Sequence, residues 1–198
     1  MRQKILFIQG GPRLNGNTRA MAGVAMSAAA EAGAEVVEID ALKLTFSVPG
    51  CLGCQKCQRS DEFRCMLDDE VARVVATIPA YDVIVLATPL YWYSYTAQLK
   101  IVVDRMYSLS KYEAGNLRTV SRSLLGGKVF GLLATAAGPL EDNLDILERQ
   151  WRQPARSRGC SFVSCLFPDA PEQGGALLGD LAAVARAREF GRLLAGDE

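Results

Sequence analysis

The sequence predicts a doubly wound α/β domain: a five-stranded parallel sheet with helices on both faces. Two observations carry this expectation. Apolar runs rich in β-branched residues alternate with segments of helical periodicity along the 198 residues, the pattern of buried strands wrapped by crossover helices. No stretch reads as a linker, repeat or low-complexity tract. One domain over residues 1–198 is therefore expected, long enough to bury a single substantial core.

The elements follow in order. The apolar run 5–8 ends at Gly10-Gly11-Pro12 and reads as a first strand and a turn. Met21, Val24, Ala25, Ala28 and Ala32 recur at helical spacing, giving an alanine-rich first helix that Gly33 closes. Residues 35–40, 83–87, 129–134 and 162–167 predict strands two to five. Helices are expected over 68–78, with Asp68 as N-cap, and over 96–107, 140–152 and 175–194. Two segments stand outside the alternation: a Cys-rich insertion at 47–66 and a long loop at 108–128. Loops of that length in a compact domain usually cover a site.

Composition excludes several classes. Lys plus Arg and Asp plus Glu number 22 each, so the basic footprint of a nucleic-acid binder is missing. No stretch approaches the roughly 18 apolar residues of a membrane helix, and the N-terminal apolar run is too brief for a signal-peptide core. A cytoplasmic protein with no membrane or nucleic-acid partner is expected, its thiols reduced. Four of the 6 Cys fall between positions 51 and 65, which there points to metal or redox chemistry more than to structural disulfides. The absence of His removes His-based triads, His metal sites and His acid–base catalysis.

The connection from strand one to helix one, Gln9 through Gly10, Gly11, Pro12, Arg13, Leu14, Asn15, Gly16 and Asn17 to Thr18, is the first candidate site. Glycines allow a sharp turn with consecutive N–H groups exposed, and a helix N-terminus adds a favourable dipole for an anion. Arg13 supplies a cation; Asn15, Asn17 and Thr18 supply neutral hydrogen-bonding groups. The loop nearly fits the nucleotide-triphosphate motif, but Asn17 stands where the Lys should be. With no G-x-G-x-x-G either, a terminal monophosphate suits it best. The plainer alternative is a Gly-Pro turn with an Asn cap. The second candidate is the segment after strand three, where Thr88, Pro89, Leu90, Tyr91, Trp92, Tyr93, Ser94, Tyr95 and Thr96 place three aromatics in a row. In strand order 2-1-3-4-5, the crevice lies beyond the carboxyl ends of strands one and three, so both loops land together. A flat aromatic ligand would explain the aromatics; packing on a dimer partner, or capping of the core, would do so too.

Together these residues resemble the NADPH-dependent FMN reductase group of flavodoxin-like proteins, in particular its iron–sulfur flavoprotein branch. The chain carries Gly10-Gly11-Pro12-Arg13 with Gly16-Asn17-Thr18, then Thr88-Pro89-Leu90-Tyr91-Trp92, Thr96-Ala97-Gln98-Leu99-Lys100 and Asp104-Arg105. The resemblance implies a flavodoxin-like fold holding FMN, with Arg13, Asn15, Asn17 and Thr18 on the phosphate. It implies Pro89, Leu90, Tyr91 and Trp92 along the flavin ring, and the turn from Thr135 to Gly138 at its edge. Gly11 stands where the family pattern has Ser; the lost hydroxyl is worth only about 0.5–1.5 kcal/mol.

Cys51, Cys54, Cys57 and Cys65 read C-x2-C-x2-C-x7-C. Three thiolates at such spacing, with a fourth soon after, can wrap a cubane cluster. A structural zinc site, a thiol/disulfide pair, or a motif without metal are the other readings. The resemblance implies a [4Fe–4S] cluster exchanging electrons with FMN. Cys160 and Cys165 read as core. Arg149, Arg152, Arg156 and Arg158 read as a solvated helix face and loop more than as a site for the 2′-phosphate of NADPH or an acidic partner; Arg118 and Arg122, on the long loop, are in principle better placed for a cofactor phosphate. The flavin would carry the chemistry, so no catalytic side chain is expected. Electrons would pass from NAD(P)H to FMN and on to a quinone, flavin or similar small acceptor. Alternatively, the chain would be a carrier fed by ferredoxin. The resemblance also suggests a homodimer or homotetramer.

Overall fold

The computed structural model describes residues 2–113 and 116–197, and for Leu117 and Arg118 the backbone alone. The expectation raised for Arg118 therefore lies outside the described side chains. Five parallel strands form the central sheet: β1 (Lys4–Gln9), β2 (Glu35–Asp40), β3 (Val83–Pro89), β6 (Val129–Thr135) and β7 (Ser161–Phe167). Their order, β2-β1-β3-β6-β7, is the expected 2-1-3-4-5 once β4 (Ser110–Glu113) and β5 (Asn116–Ser123), which pair only with each other, are set aside.

Side chains alternate across each strand, so the apolar runs feed two cores. Leu6, Ile8, Ile84, Leu86, Phe130 and Leu132 face one, covered by α3 (Glu70–Thr77), α4 (Ala97–Arg105) and α5 (Asp145–Ser157). Ile5, Phe7, Val83, Val85, Leu133 and Phe167 face the other, covered by α1 (Asn17–Glu31) and α6 (Leu181–Ala195). Every connection between neighbouring strands must then return over a face, so the loops that leave β1, β3, β6 and β7 gather along one edge of the sheet.

The alanines of α1 let α6 approach closely. A Cβ added at Gly191 of α6 would stand 2.2 Å from the Ala25 carbonyl oxygen and 3.0 Å from Ala28 Cβ. Gly191→Val is thus expected to cost about 1–3 kcal/mol through overpacking, seen as a lower urea midpoint at unchanged slope. A wild-type midpoint would contradict the close helix contact.

Several boundaries differ from expectation. Asp69, not Asp68, caps α3: its backbone is extended, and its carboxylate accepts from the Ala72 N–H at 2.9 Å. Asp68 is exposed and pairs with Arg73. The helix expected from 140 begins at Asp145, because the Leu140–Leu144 turn is broken by Asp142 at φ +54°. The helix expected from 175 splits into a short turn, Ala176–Gly179, and α6, which Asp180 caps through the Ala182 and Ala183 N–H groups. Residues 108–128 are not a loop, because β4 and β5 make an antiparallel hairpin of them. The Cys-rich segment, with its short helix α2 (Lys56–Arg59), lies against that hairpin: Gln58 Nε2 donates to the Ser110 carbonyl at 2.9 Å and Gln58 Oε1 accepts from the Tyr112 N–H at 3.3 Å. The two insertions are one structural unit.

Candidate functional site

The loops at the carboxyl edge enclose a cleft of about 340 Å³. The β1–α1 turn contributes Gly11, Pro12, Arg13, Gly16, Asn17 and Thr18; the segment after β3 contributes Pro89, Leu90 and Tyr91. Thr135, Ala136 and Ala137 close it from β6. The two principal loops are locked together, since Thr96, the N-cap of α4, donates its hydroxyl to the Gly10 carbonyl at 2.8 Å. Thr18 and Thr135, both buried, share a hydroxyl–hydroxyl bond of 2.6 Å. Whichever hydroxyl donates in that pair, the other keeps its proton for an acceptor in the cleft.

Among the described residues, Arg13 and Glu172 are the only charged ones lining the cleft. Arg19 stands behind it, bonding the Gly11 carbonyl at 2.9 Å and Asp40 at 2.8 Å. Burial pushes the Asp40 carboxyl up, but Arg19 and the Leu42 N–H outweigh that and hold it below the usual range. The backbone of the β1–α1 turn is thereby braced by an internal ion pair.

Other residues singled out from sequence lie elsewhere. Asn15 is exposed and does not line the cleft. Thr88 is fully buried beneath it, its hydroxyl bonded to the Pro89 carbonyl and the Thr96 N–H. Gly138 is also outside the lining, and its carbonyl accepts from the Asp169 N–H at 2.9 Å. Trp92 is 94% exposed at the tip of a turn in which Trp92 and Tyr93 both have positive φ. That turn is fixed by reciprocal Tyr91–Ser94 backbone bonds of 3.0 Å and by Gln150 of α5, which donates to the Tyr93 carbonyl at 2.9 Å. Arg149 and Arg152 pair along α5 with Asp145 and Glu148, as a solvated face would. Arg158 bonds Ser110 and Tyr112 of the hairpin, and Arg122 stands over the Phe63 ring. Cys165 is buried in the core, its thiol pushed up to about 12 by burial.

Ala170, Pro171, Glu172 and Gly174, after β7, also line the cleft and were missed from sequence. The signal was there: Pro168, Pro171, Gly174 and Gly175 mark a loop leaving strand five at the same sheet edge.

A second recess collects Cys51, Cys54, Cys57 and Cys65 with Leu52, Met66, Leu67, Arg105 and Tyr107. It shares no lining residue with the cleft. All four thiols are free; Cys51 and Cys54 are exposed and Cys57 is buried. Burial pushes the Cys57 thiol up, with Gln58 working against it and Cys51 and Cys65 adding to it. The donor set suits a four-thiolate centre, although among the described residues no three His, Cys, Asp or Glu side chains converge closely enough to hold an ion as placed. Two buried cations frame the recess; Lys111 was not singled out from sequence, and Arg105 only as part of the Asp104-Arg105 motif. Lys111 of β4 donates to the carbonyls of Cys57, Ser60 and Glu62. Arg105 bonds the carbonyls of Val48 at 2.6 Å and Gly50 at 3.0 Å, and pairs with Asp69.

Fold and cleft together define the class: a flavodoxin-like α/β protein with a glycine-containing turn and a cleft at the switch point of its sheet. The family model for NADPH-dependent FMN reductase matches residues 3–158, and the chain belongs to that family. It is 31% identical over 130 residues to an iron–sulfur flavoprotein of Methanocaldococcus jannaschii, covering 63% of this chain and 65% of the relative. It is 30% identical over 137 residues to an iron–sulfur flavoprotein of Archaeoglobus fulgidus, covering 68% and 55%. The matches thus span less than two thirds of these relatives' lengths. Among solved structures, the NAD(P)H:quinone oxidoreductase from Methanothermobacter marburgensis superposes with a TM-score of 0.73 at 18% identity, covering 98% of this chain and 100% of that one. Among the described residues, no helix is long and apolar enough to cross a membrane.

Proposed function

We propose that the chain is an FMN-dependent NAD(P)H oxidoreductase that delivers electrons to a quinone, flavin or similar small acceptor. The observation that carries this is the cleft itself, where the β1–α1 turn meets the segment after β3 beside the Thr18–Thr135 hydroxyl pair. The uncommitted N–H groups of the β1–α1 turn (Pro12 has none, and that of Gly16 is given to the Arg13 carbonyl), the Arg13 guanidinium and the free proton of the hydroxyl pair would hold the phosphate. Pro89, Leu90 and Tyr91 would flank the ring, and residues 135–137 its polar edge. Bound FMN would supply hydride acceptance and one- or two-electron release; the protein supplies position. The fixed and exposed Trp92 supports a homodimer or homotetramer built near the cleft.

The Cys recess, where Cys51, Cys54, Cys57 and Cys65 would carry a [4Fe–4S] cluster in either case, favours a second reading in which the chain is an electron carrier fed by ferredoxin. Anaerobic purification separates the two. Bleaching of the flavin by NADPH alone supports the enzyme; bleaching only by a reduced protein donor supports the carrier. Arg13→Ala combined with Thr18→Ala removes a charged and a neutral hydrogen bond, together about 2–4 kcal/mol, and is expected to weaken FMN binding about 30- to 1000-fold. FMN retained at one per chain in that variant would mean the phosphate sits elsewhere.

A further inference from the structure

Asn17 opens α1, yet its side chain has no hydrogen left for a ligand. Its Nδ2 donates to the carbonyls of Pro171 at 2.7 Å and Gln173 at 3.0 Å, and its Oδ1 accepts from the Leu177 N–H at 3.1 Å. All three partners belong to the segment that follows β7. Arg13 adds a fourth tie, its Nη1 donating to the Glu172 carbonyl at 3.2 Å. The other end of that segment is pinned to the turn after β6, where the N–H groups of Asp169 and Ala170 bond the carbonyls of Gly138 at 2.9 Å and Ala136 at 2.8 Å. Residues 168–175 therefore run across the phosphate end of the cleft, fastened to both of its walls. The fit is tight. A Cβ added at Gly174 would lie 2.5 Å from the Asn15 carbonyl oxygen.

We infer that residues 168–175 form a strap that admits a terminal monophosphate and excludes a dinucleotide, with Asn17 as the positioning residue that latches it. This rests on the flavin reading above. A terminal phosphate needs only the donors of the β1–α1 turn and can end there. A flavin dinucleotide must continue through a second phosphate, and the way out is crossed by the strap. The residues it places there are Pro171, Glu172 and Gln173, whose carbonyls already accept from Asn17 and Arg13, and Glu172, a lining residue of the cleft, adds a carboxylate. Each is an acceptor or a negative charge, so a second phosphate would meet repulsion where the first meets donors. The site is thus selective by what surrounds the phosphate, and Asn17 acts on the ligand only through the strap.

The test titrates the full-length chain with FMN, FAD and riboflavin, following flavin fluorescence, for wild type, Asn17→Ala and Gly174→Ala. Asn17→Ala removes the latch; Gly174→Ala keeps every hydrogen-bonding group but forces the strap off the loop. Wild type is expected to prefer FMN to FAD at least a hundredfold. In both variants that ratio should fall to about tenfold or less, while the preference for FMN over riboflavin persists. A purely structural role would weaken FMN and FAD alike and leave their ratio unmoved, which would overturn the inference, as would a wild type that takes FAD as tightly as FMN. If Asn17→Ala does not fold, the ratio in Gly174→Ala decides by itself. A wild type that binds riboflavin as well as FMN would instead remove the phosphate reading itself, and the strap's role with it.

Discussion

Arg105→Met is expected to lower the unfolding free energy by about 3–5 kcal/mol, the cost of leaving a buried carboxylate without its cation. Arg105 is 1% exposed and bonds Asp69, Val48 and Gly50 at once. Asp69 in turn caps α3 and accepts from the Ser47 N–H and hydroxyl. One guanidinium therefore fastens α4, α3 and the start of the Cys-rich segment, in a fork that an ammonium cannot reproduce, so Arg105→Lys should recover little. Burial pushes the Asp69 carboxyl up, but Arg105, the Ser47 and Ala72 N–H groups and the Ser47 hydroxyl prevail and hold it well below the usual carboxylate range. A depressed folded value adds stability that is present above the unfolded value of about 3.9 and is lost as pH falls below it. Wild type should thus lose stability from about pH 4 downward, and Arg105→Met should show a shallower loss. Urea unfolding at pH 7 and through pH 4 to 3 measures both. A loss under 1 kcal/mol at pH 7, with the acid slope unchanged, would contradict this role.

The strands were legible because the parallel sheet is buried on both faces, so runs such as Ile5 to Ile8 and Val83 to Ala87 are apolar without interruption. The hairpin was not, because Ser110, Lys111, Ser121 and Ser123 are polar and spend their groups on carbonyls and hydroxyls of neighbouring segments. Their pattern contains neither a buried run nor a clean alternation. Asp68, read as the cap, gives way to its neighbour because the extended backbone falls at Asp69, φ −152°. The meeting of the two cleft loops followed from strand order alone. What each side chain does there did not, since Asn17 as ligand and Asn17 as latch call for the same residue at the same place. What Lys111 and Arg105 hold was hidden for a related reason: only the fold closes three carbonyls over the one, and a carboxylate and two carbonyls over the other.

That closure over Lys111 makes the second large effect an electrostatic one. Lys111 is 5% exposed, its ammonium rests on carbonyls and the Phe63 ring, and it pairs with no carboxylate among the described residues. A buried cation without an anion is costly, and four thiolates around iron would bring negative charge to the neighbouring recess. After anaerobic reconstitution, wild type is expected to hold about four irons per chain, as a [4Fe–4S] centre requires. Cys57→Ala, which removes the buried member of the four thiols, should fall below one. Lys111→Met should lose at least half of its iron, and Lys111→Arg, which keeps the charge, should lose less. FMN content should stay at wild-type level in all three, because the recess and the cleft share no lining residue. Equal iron in Cys57→Ala and wild type would refute a cluster at these cysteines. Equal loss in Lys111→Met and Lys111→Arg would refute the charge argument, and would mean that Lys111 serves only to shape the turn from Cys57 to Glu62.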